Sequence, residues 1–202
     1  MERVRSRSQQ AGAGMALWTA RIVSISVLLA LLLCGSPIAA QPRQPGEYDV
    51  KAAYLFNFAK FTQWPNEQSG SQDSFSICVM GEDSFHGALE GIVAGEQLNG
   101  KKVAVRHVST VHEASECRIV FISKSESYRY KLVIGSLASA PVLTVSDLPD
   151  FAQDGGMIQL LLQGDRVKFE VNLEAAQKAH LSLSSQLLKV ATKVLQAKTG
   201  GE

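Results

Sequence analysis

The chain has 202 residues, with 20 Lys and Arg against 19 Asp and Glu, and 46% of its residues are hydrophobic. This length suggests one domain, and the apolar fraction is that of a globular protein rather than a disordered one. A formal net charge of +1 removes the electrostatic reason to expect a nucleic-acid binder, because such domains are usually strongly basic.

The first forty residues have the pattern of an export signal. Residues 22–33 are an almost uninterrupted apolar run, with four arginines before it and small residues after it, ending at Ala40. The run is shorter than the roughly 20 apolar residues that a membrane-spanning helix needs, and it has the length of the apolar core of a signal peptide. We therefore expect residues 1–40 to be a cleaved signal peptide and the protein to be exported.

Two other interpretations of this segment stay open. It could remain attached as an N-terminal anchor, or Cys34 could carry a lipid, although Leu33 is larger than the small residue that lipidation sites require. The start of translation is also open, because Met15 would give a signal peptide of more ordinary length than Met1.

Residues 41–46 are rich in Pro, Gly and Gln and predict a flexible lead-in. Residues 47–61 then predict a helix, because Val50, Tyr54, Phe58 and Phe61 recur at helical spacing. Pro65 ends this segment, since proline biases the residue before it away from helix. A polar loop follows.

The next part of the chain alternates between strands and helices. The predicted strands are residues 75–80, 102–107, 117–123 and 142–145, and the predicted helices are residues 83–93 and 125–137. Such alternation is typical of a largely parallel sheet with helices on both faces.

The rhythm changes after residue 156. Residues 157–162 and 167–172 predict two strands joined by a Gly-Asp turn, which favours an antiparallel hairpin. Residues 173–180 and 182–197 predict two closing helices. The sequence thus predicts a single-domain α/β three-layer sandwich over residues 47–197, with a mostly parallel sheet, an antiparallel C-terminal hairpin, and a short tail at residues 198–202.

Two cysteines remain once the signal peptide is removed. Cys78 and Cys117 each lie in or beside a predicted strand, and export would place them in a disulfide-permissive compartment. In a Rossmann-like strand order the first and third strands are neighbours, so a disulfide between them is geometrically plausible. Two buried free thiols are the alternative.

None of the sequence motifs demands an enzyme. Residues 95–102 resemble a phosphate-binding loop but lack the Ser or Thr that follows its lysine, and a strand follows where a helix is needed. The four histidines lack metal-site spacing. Asp147, Asp150 and Asp154 could support acid–base chemistry, but aspartates in loops usually stabilise turns. We expect no catalytic site, no metal and no cofactor.

Aromatic residues are concentrated in the first predicted helix. Tyr54, Phe58 and Phe61 can face the core, whereas Phe56 points elsewhere, and Trp64 follows closely. One interpretation is a helix buried between the sheet and the C-terminal helices. The other is a partly exposed apolar patch that binds a partner.

Several segments together resemble one known family, the YfiR family (DUF4154) of bacterial periplasmic proteins. The similar segments occur in the family's order and are residues 50–61, 64–65, 77–81, 117–123, 143–147, 151–158, 169–172 and 184–188. The resemblance covers about residues 47–195, which is nearly the whole predicted domain.

This resemblance implies a non-catalytic regulator with an α/β sandwich fold, in which Cys78 and Cys117 form a disulfide. It implies repression of an inner-membrane, YfiN-like diguanylate cyclase through the periplasmic domain of that enzyme, which lowers cyclic di-GMP and biofilm formation. An outer-membrane lipoprotein and a second copy of the chain are further possible partners. A second disulfide found in the family near residues 147–154 has no cysteines here.

We expect the partner-binding surface to include residues from the first helix and from the second strand of the hairpin. These residues are Phe56, Phe61, Trp64, Phe169, Glu170 and Asn172. The alternative function is a periplasmic module that binds a small molecule near Trp64 and the C-terminal helices and is coupled to another membrane sensor.

Overall fold

The computed structural model describes residues 45–65 and 74–196. The predicted signal peptide and the predicted tail lie outside the described residues. Within the described ranges, every helix is too short or too polar to cross a membrane.

The helices are short apart from the first. They are α1 Glu47–Phe61, α2 Ala88–Val93, α3 Val111–Ser115, α4 Tyr130–Leu137, α5 Leu173–Lys178 and α6 Ser185–Val190. The strands are β1 Thr62–Gln63, β2 Ser74–Met80, β3 Gln97–Leu98, β4 Lys101–Val108, β5 Ile119–Ile122, β6 Leu143–Ser146, β7 Ile158–Gln163, β8 Arg166–Asn172, β9 Ser182–Leu183 and β10 Lys193–Leu195.

Eight strands form one sheet in the order β10-β8-β7-β6-β5-β2-β4-β3, and β1 pairs with β9 in a separate small ribbon. From β4 to β7 every neighbouring pair is parallel, whereas β7 and β8 form the predicted antiparallel hairpin. In chain order the parallel strands are therefore arranged 2-1-3-4-5. The connection after β2 leads to one face of the sheet and the connection after β5 leads to the other, so the topology reverses between these two strands.

Helices cover both faces, which confirms the predicted three-layer sandwich. Alternate residues of the strands belong to two separate hydrophobic clusters, as the two-residue period of a strand requires. One cluster contains α1, α2, α5 and α6 and lies on what we call the front face. The other contains α3 and α4 and lies on the back face.

The disulfide between Cys78 and Cys117 is present, with 6.1 Å between the two Cα atoms. Cys78 lies within β2, and Cys117 precedes β5, which pairs with β2 in parallel. The predicted neighbourhood of these two strands is therefore confirmed. Both cysteines are buried in the back-face cluster.

The prediction of one helix over residues 182–197 was wrong. The chain forms β9, then α6, and then the edge strand β10. Ser184 begins α6 by accepting a hydrogen bond from the Leu187 amide. After α6 the Thr192 amide and hydroxyl both donate to the Phe169 carbonyl, and β10 then pairs with β8. These long-range hydrogen bonds prevail over the local helical pattern.

The helix predicted from residue 83 begins later, at Ala88. His86 and Gly87 have φ angles of 50° and 86°. These are left-handed backbone conformations, and a right-handed helix cannot run through residues that adopt them. The segment before α2 is therefore a turn. The Phe85 amide donates to the Asp83 carboxylate within it.

Candidate partner-binding site

Helix α1 is fixed to the sheet at its N-terminal end by a buried ion pair. Lys51 is 1% exposed, and its Nζ contacts the carboxylates of Asp147 and Glu47 and lies 4.3 Å from the Tyr48 ring centroid. Burial opposes the charged form of Lys51, but the hydrogen bonds to Asp147 and Glu47 outweigh it and raise the pKa of the amine. The lysine is therefore charged and firmly held at neutral pH.

Tyr48 belongs to the same network. Its hydroxyl donates to Asp147 Oδ2 over 2.9 Å, and burial together with this carboxylate raises the pKa of the phenol. Asp147 directly follows β6, so the network joins the first turn of α1 to the carboxyl end of the parallel sheet.

An aromatic cluster fixes the middle of α1 to β8. The Phe169 ring is 5.1 Å from the Phe58 ring and 5.5 Å from the Tyr54 ring, both in edge-to-face geometry, which is a favourable aromatic arrangement. The Tyr54 hydroxyl also donates to the Val167 carbonyl over 3.3 Å. Helix α1 and the hairpin therefore form one rigid support.

A groove of about 680 Å³ runs beside this support, between α1 and the β7–β8 hairpin. Val50 and Tyr54 line it from α1, Leu162 and Val167 line it from the hairpin, and Val190 lines it from the end of α6. Its lining is mixed, because these apolar residues are interspersed with the charged side chains of Glu47, Asp165, Arg166 and Lys168.

Two residues of this groove are exposed although they are large and apolar. Leu162 is 51% exposed and Val190 is 67% exposed. Single exposed apolar residues are common, but a group of them around a concave surface is typical of a binding site. The sequence did not reveal these two residues, because Leu162 lies on the same face of β7 as the buried Ile158 and Leu160, and the helical pattern assigned residue 190 to the middle of a helix.

The structure separates the six predicted partner-binding residues into three groups. Phe56, Trp64 and Phe169 are buried, so they can support a binding surface but have almost no area for direct contact. Phe61 is 37% exposed at the end of α1. Glu170 and Asn172 are half-buried, and they alternate with the front-face residues of β8, so they lie on the back face.

Asn172 also has a clear structural role. Its side chain accepts a hydrogen bond from the Ala175 amide and donates one to the Ala152 carbonyl. It therefore caps α5 and holds the loop that precedes β7. Gln159 accepts a hydrogen bond from the Ala152 amide in the same loop, so side chains hold this segment, in which the sequence has no cysteines.

The three loop aspartates are not assembled into one acidic site. Asp147 pairs with Lys51, whereas Asp154 accepts hydrogen bonds from Tyr130 and Lys131. The Tyr130 hydroxyl lowers the pKa of Asp154, and that carboxylate raises the pKa of Tyr130 to about 12. No group of three or more His, Cys, Asp or Glu suited to a metal occurs in the described ranges.

Comparison with known proteins gives a family match and distant structural likenesses, among them the following two. The family described as YfiR/HmsC-like (DUF4154) matches residues 48–192, well over half of the chain. A conserved domain protein from Vibrio cholerae O1 biovar El Tor is 10% identical, with a TM-score of 0.51, over 73% of this chain and 60% of that one. A Streptococcus ABC domain, solved in complex with L-Trp, is 12% identical, with a TM-score of 0.45, over 70% of this chain and 60% of that one.

The likeness to the Vibrio protein concerns the fold alone. The chain spans about 60% of the length of each of those proteins. The family match says more, because this family consists of non-catalytic periplasmic regulators that interact with membrane sensor partners. The chain belongs to the YfiR/HmsC-like family.

Proposed function

We propose that the protein represses a YfiN-like diguanylate cyclase of the inner membrane by binding the periplasmic domain of that enzyme. The observation that carries this proposal is the groove between α1 and the hairpin, in which the exposed apolar side chains of Leu162 and Val190 lie beside charged residues. In a regulator of cyclic di-GMP signalling, such a surface is suited to hold a protein partner.

Repression by binding requires a preference for one state of the partner. A regulator shifts the equilibrium of a cyclase only as far as it binds the inactive state more tightly than the active one. A rigid surface favours such discrimination, because less entropy is lost when preorganised groups bind. The buried ion pair at Lys51 and the aromatic cluster at Phe169 supply that rigidity here.

The proposal predicts that Leu162→Asp or Val190→Asp raises cellular cyclic di-GMP to nearly the level of a deletion strain. A carboxylate placed in the groove would have to be desolvated on binding without a partner, which strongly weakens association. Cyclic di-GMP is measured in cell extracts of a deletion strain that carries each variant.

The matched control is Leu132→Asp. Leu132 is similarly exposed, at 66%, but it belongs to α4 on the opposite face of the sheet, so this variant should repress as well as the wild type. If deletion of the gene leaves cyclic di-GMP unchanged, repression is not the function. If deletion has an effect but both groove variants still repress, the binding surface lies elsewhere.

The second candidate function is a module that binds a small molecule near Trp64. The indole Nε1 of Trp64 and the hydroxyl of nearby Thr62 are buried without a hydrogen-bond partner among the described residues. Buried polar groups normally have partners, so a bound ligand would explain both. This alternative predicts that the groove variants keep their regulatory effect.

A further inference from the structure

One edge of the large sheet is open where β8 borders the groove. β10 pairs in register only with residues 170–172 of β8, so in the described part of the chain no strand lies on the outer side of residues 166–169. The same half of β8 supplies Arg166, Val167 and Lys168 to the lining of the groove. The groove therefore runs along an unpaired strand edge, which is a natural template for pairing with another chain.

The main-chain groups of Val167 point out of this edge. Successive residues of a strand direct their main-chain groups to alternate sides, and the Phe169 carbonyl points away from β7, because it accepts a hydrogen bond from the Thr192 amide. Val167, two residues earlier, has the same orientation. Its carbonyl accepts a hydrogen bond from the Tyr54 hydroxyl over 3.3 Å, which is longer than most bonds of this kind. An incoming strand can therefore pair with the main chain of Val167.

Strand β10 shows which side chains this edge accepts. Lys193 lies opposite Glu170, and Val194 lies opposite Val171. Glu170 is on the back face and Val171 is in the front-face cluster, so β10 places its lysine and its valine on the matching sides. Opposite charges and apolar pairs across neighbouring strands stabilise a sheet. The edge is thus complemented in both charge and polarity where it is already paired.

The unpaired half of β8 carries two positive charges on its back face. Arg166 and Lys168 alternate with Val167, which belongs to the front-face cluster. Neither Arg166 nor Lys168 forms an ion pair with another described residue. An added strand is therefore favoured by acidic side chains opposite both of them. Its intervening side chain would face α1, where Val50 and Tyr54 line the groove.

The two carboxylates of the groove do not cancel this positive charge. Glu47 contacts Lys51, and Lys124 contacts Asp147, the other partner of Lys51, so two cations already offset two anions there. Asp165 lies in the turn between β7 and β8, beyond the edge to which a strand would add. The charge beside the open edge is positive and favours an acidic occupant.

We propose that the groove binds an extended segment of the protein partner, which adds as a strand to the open edge of β8 and alternates acidic with apolar side chains. The acidic side chains lie opposite Arg166 and Lys168, and the apolar ones contact the groove, which Val190 also lines. In strand addition, main-chain hydrogen bonds supply affinity and alternate side chains supply specificity. The inference rests on the proposed function, because it names the part of the partner that the groove holds.

The test uses the purified protein and fluorescein-labelled peptides, with fluorescence anisotropy as the measurement. The reference peptide is Ser-Glu-Val-Glu-Val-Ser. Two further versions carry N-methyl groups, one on both valines and the other on both glutamates. Only alternate amides of an added strand face β8, so one methylated version should bind at least about tenfold more weakly and the other should bind like the reference peptide.

Charge is tested with a peptide that has lysine in place of both glutamates. This peptide should bind at least about tenfold more weakly than the reference peptide. The double variant Arg166→Glu with Lys168→Glu should reverse the preference. The matched control is Lys102→Glu, because Lys102 is exposed on β4, toward the opposite edge of the sheet, and this variant should keep the wild-type preference. If the double variant does not fold, the exposed Arg166 is changed alone, and the preference should then diminish.

The outcomes separate this inference from the proposed function. No saturable binding of the reference peptide, or equal binding of both methylated versions, would overturn strand addition, even if the protein represses the cyclase in cells. Equal binding of the lysine peptide would overturn the acidic assignment. Dissociation of an oligomer in the double variant, measured by sedimentation, would show that a second copy occupies the edge instead. If the peptides bind as expected but deletion of the gene leaves cyclic di-GMP unchanged, the edge recognises such segments and repression is not the function.

Discussion

The burial of Lys51 is the feature that the sequence conceals most completely. Lysine is among the residues that are least often fully buried, and residues 47–61 therefore suggest that it faces solvent. In the structure it is 1% exposed, because Asp147, almost a hundred residues later in the chain, neutralises its charge. The local sequence around either residue gives no indication of the other, so the ion pair could not be predicted.

Breaking this buried ion pair should lower the free energy of unfolding more than breaking an ion pair on the surface does. Lys51→Met leaves the buried Asp147 with fewer donors, and removing one member of a buried pair typically costs about 3 to 5 kcal/mol. Lys124→Met should cost at most about 1 kcal/mol, because its side chain is largely exposed. Urea denaturation measures both free energies of unfolding.

A double variant separates the ion pair from other contacts. Lys51→Met combined with Asp147→Asn should be less destabilised than the sum of the two single variants, because neither leaves a full charge unpaired when both are changed. Simple additivity would mean that the two side chains do not stabilise each other.

The raised pKa of Lys51 also determines how the stability of the fold depends on pH. The contribution of Lys51 to stability is fully present below the ordinary lysine pKa and is lost as pH rises through the raised pKa.

At the scale of single elements, α3 shows how strongly one helix end can be specified. Thr110 Oγ1 accepts a hydrogen bond from the Glu113 amide, and Glu113 Oε2 accepts hydrogen bonds from the amides of Ser109 and Thr110. This reciprocal arrangement is a capping box. The sequence contains the corresponding Thr-x-x-Glu pattern at residues 110–113. No helix was predicted there, because α3 has only five residues.

The capping box makes a prediction about acid stability. The backbone amides of Ser109 and Thr110 lower the pKa of Glu113 to about 2. A carboxyl group whose folded pKa is lowered stabilises the fold above its unfolded pKa and loses that contribution as pH falls toward the folded value. Glu113→Gln should therefore be less stable than the wild type at neutral pH, and the difference should shrink from about pH 4.5 to pH 2.

Urea denaturation at several pH values measures this convergence. Glu116→Gln is the control, since it lies one turn further along the chain and outside the capping box. A constant difference between wild type and Glu113→Gln over this pH range would show that the charge of Glu113 does not stabilise the helix end.

The elements that were predicted well share a physical reason. Strands β2, β5 and β6 are buried on both faces, and this burial gives short, nearly continuous apolar runs that few other structures produce. Helix α1 was predicted with the bounds that it has, and it ends where Thr62 becomes extended and pairs with β9. The prediction of one closing helix was wrong because residues 187–195 have apolar residues at helical spacing, whereas hydrogen bonds to β8 determine the conformation of the end of this segment.

At the scale of the whole molecule, the sandwich follows from the alternation of elements, but the groove does not. Its walls come from α1, the hairpin and α6, and the lining residues of α1 lie more than a hundred positions before those of the other two elements. Five of the six residues predicted to bind a partner belong to α1 or the hairpin, which form two of these walls, yet three of the six are buried in the core. Exposure depends on how the layers pack, and no local pattern encodes it.

The disulfide acts on the whole domain. It links residues separated by 39 positions, and closing a loop of this size should stabilise the fold by up to about 4 kcal/mol. Cys78→Ala with Cys117→Ala should therefore unfold at a lower urea concentration than the wild type. Adding a reductant to the wild type should reduce its stability by a similar amount but leave the double variant unaffected.

The result that would contradict this prediction is equal stability of oxidised and reduced wild-type protein. Such equality would mean that the cysteines act only as small buried apolar residues. Both cysteines are almost fully buried, so the comparison with reductant is needed to separate the bond from the loss of packing in the double variant.

The same bond has a consequence for proteolysis. The chain between Cys78 and Cys117 contains α2, β3, β4 and α3, and the disulfide turns this stretch into a covalent ring. A single cut within the ring, for example at the tight turn of Asn99 and Gly100, opens the backbone but leaves both fragments joined through sulfur. A protease would thus have to cut the ring twice, or the bond would have to be reduced, before any fragment could separate from the rest of the protein.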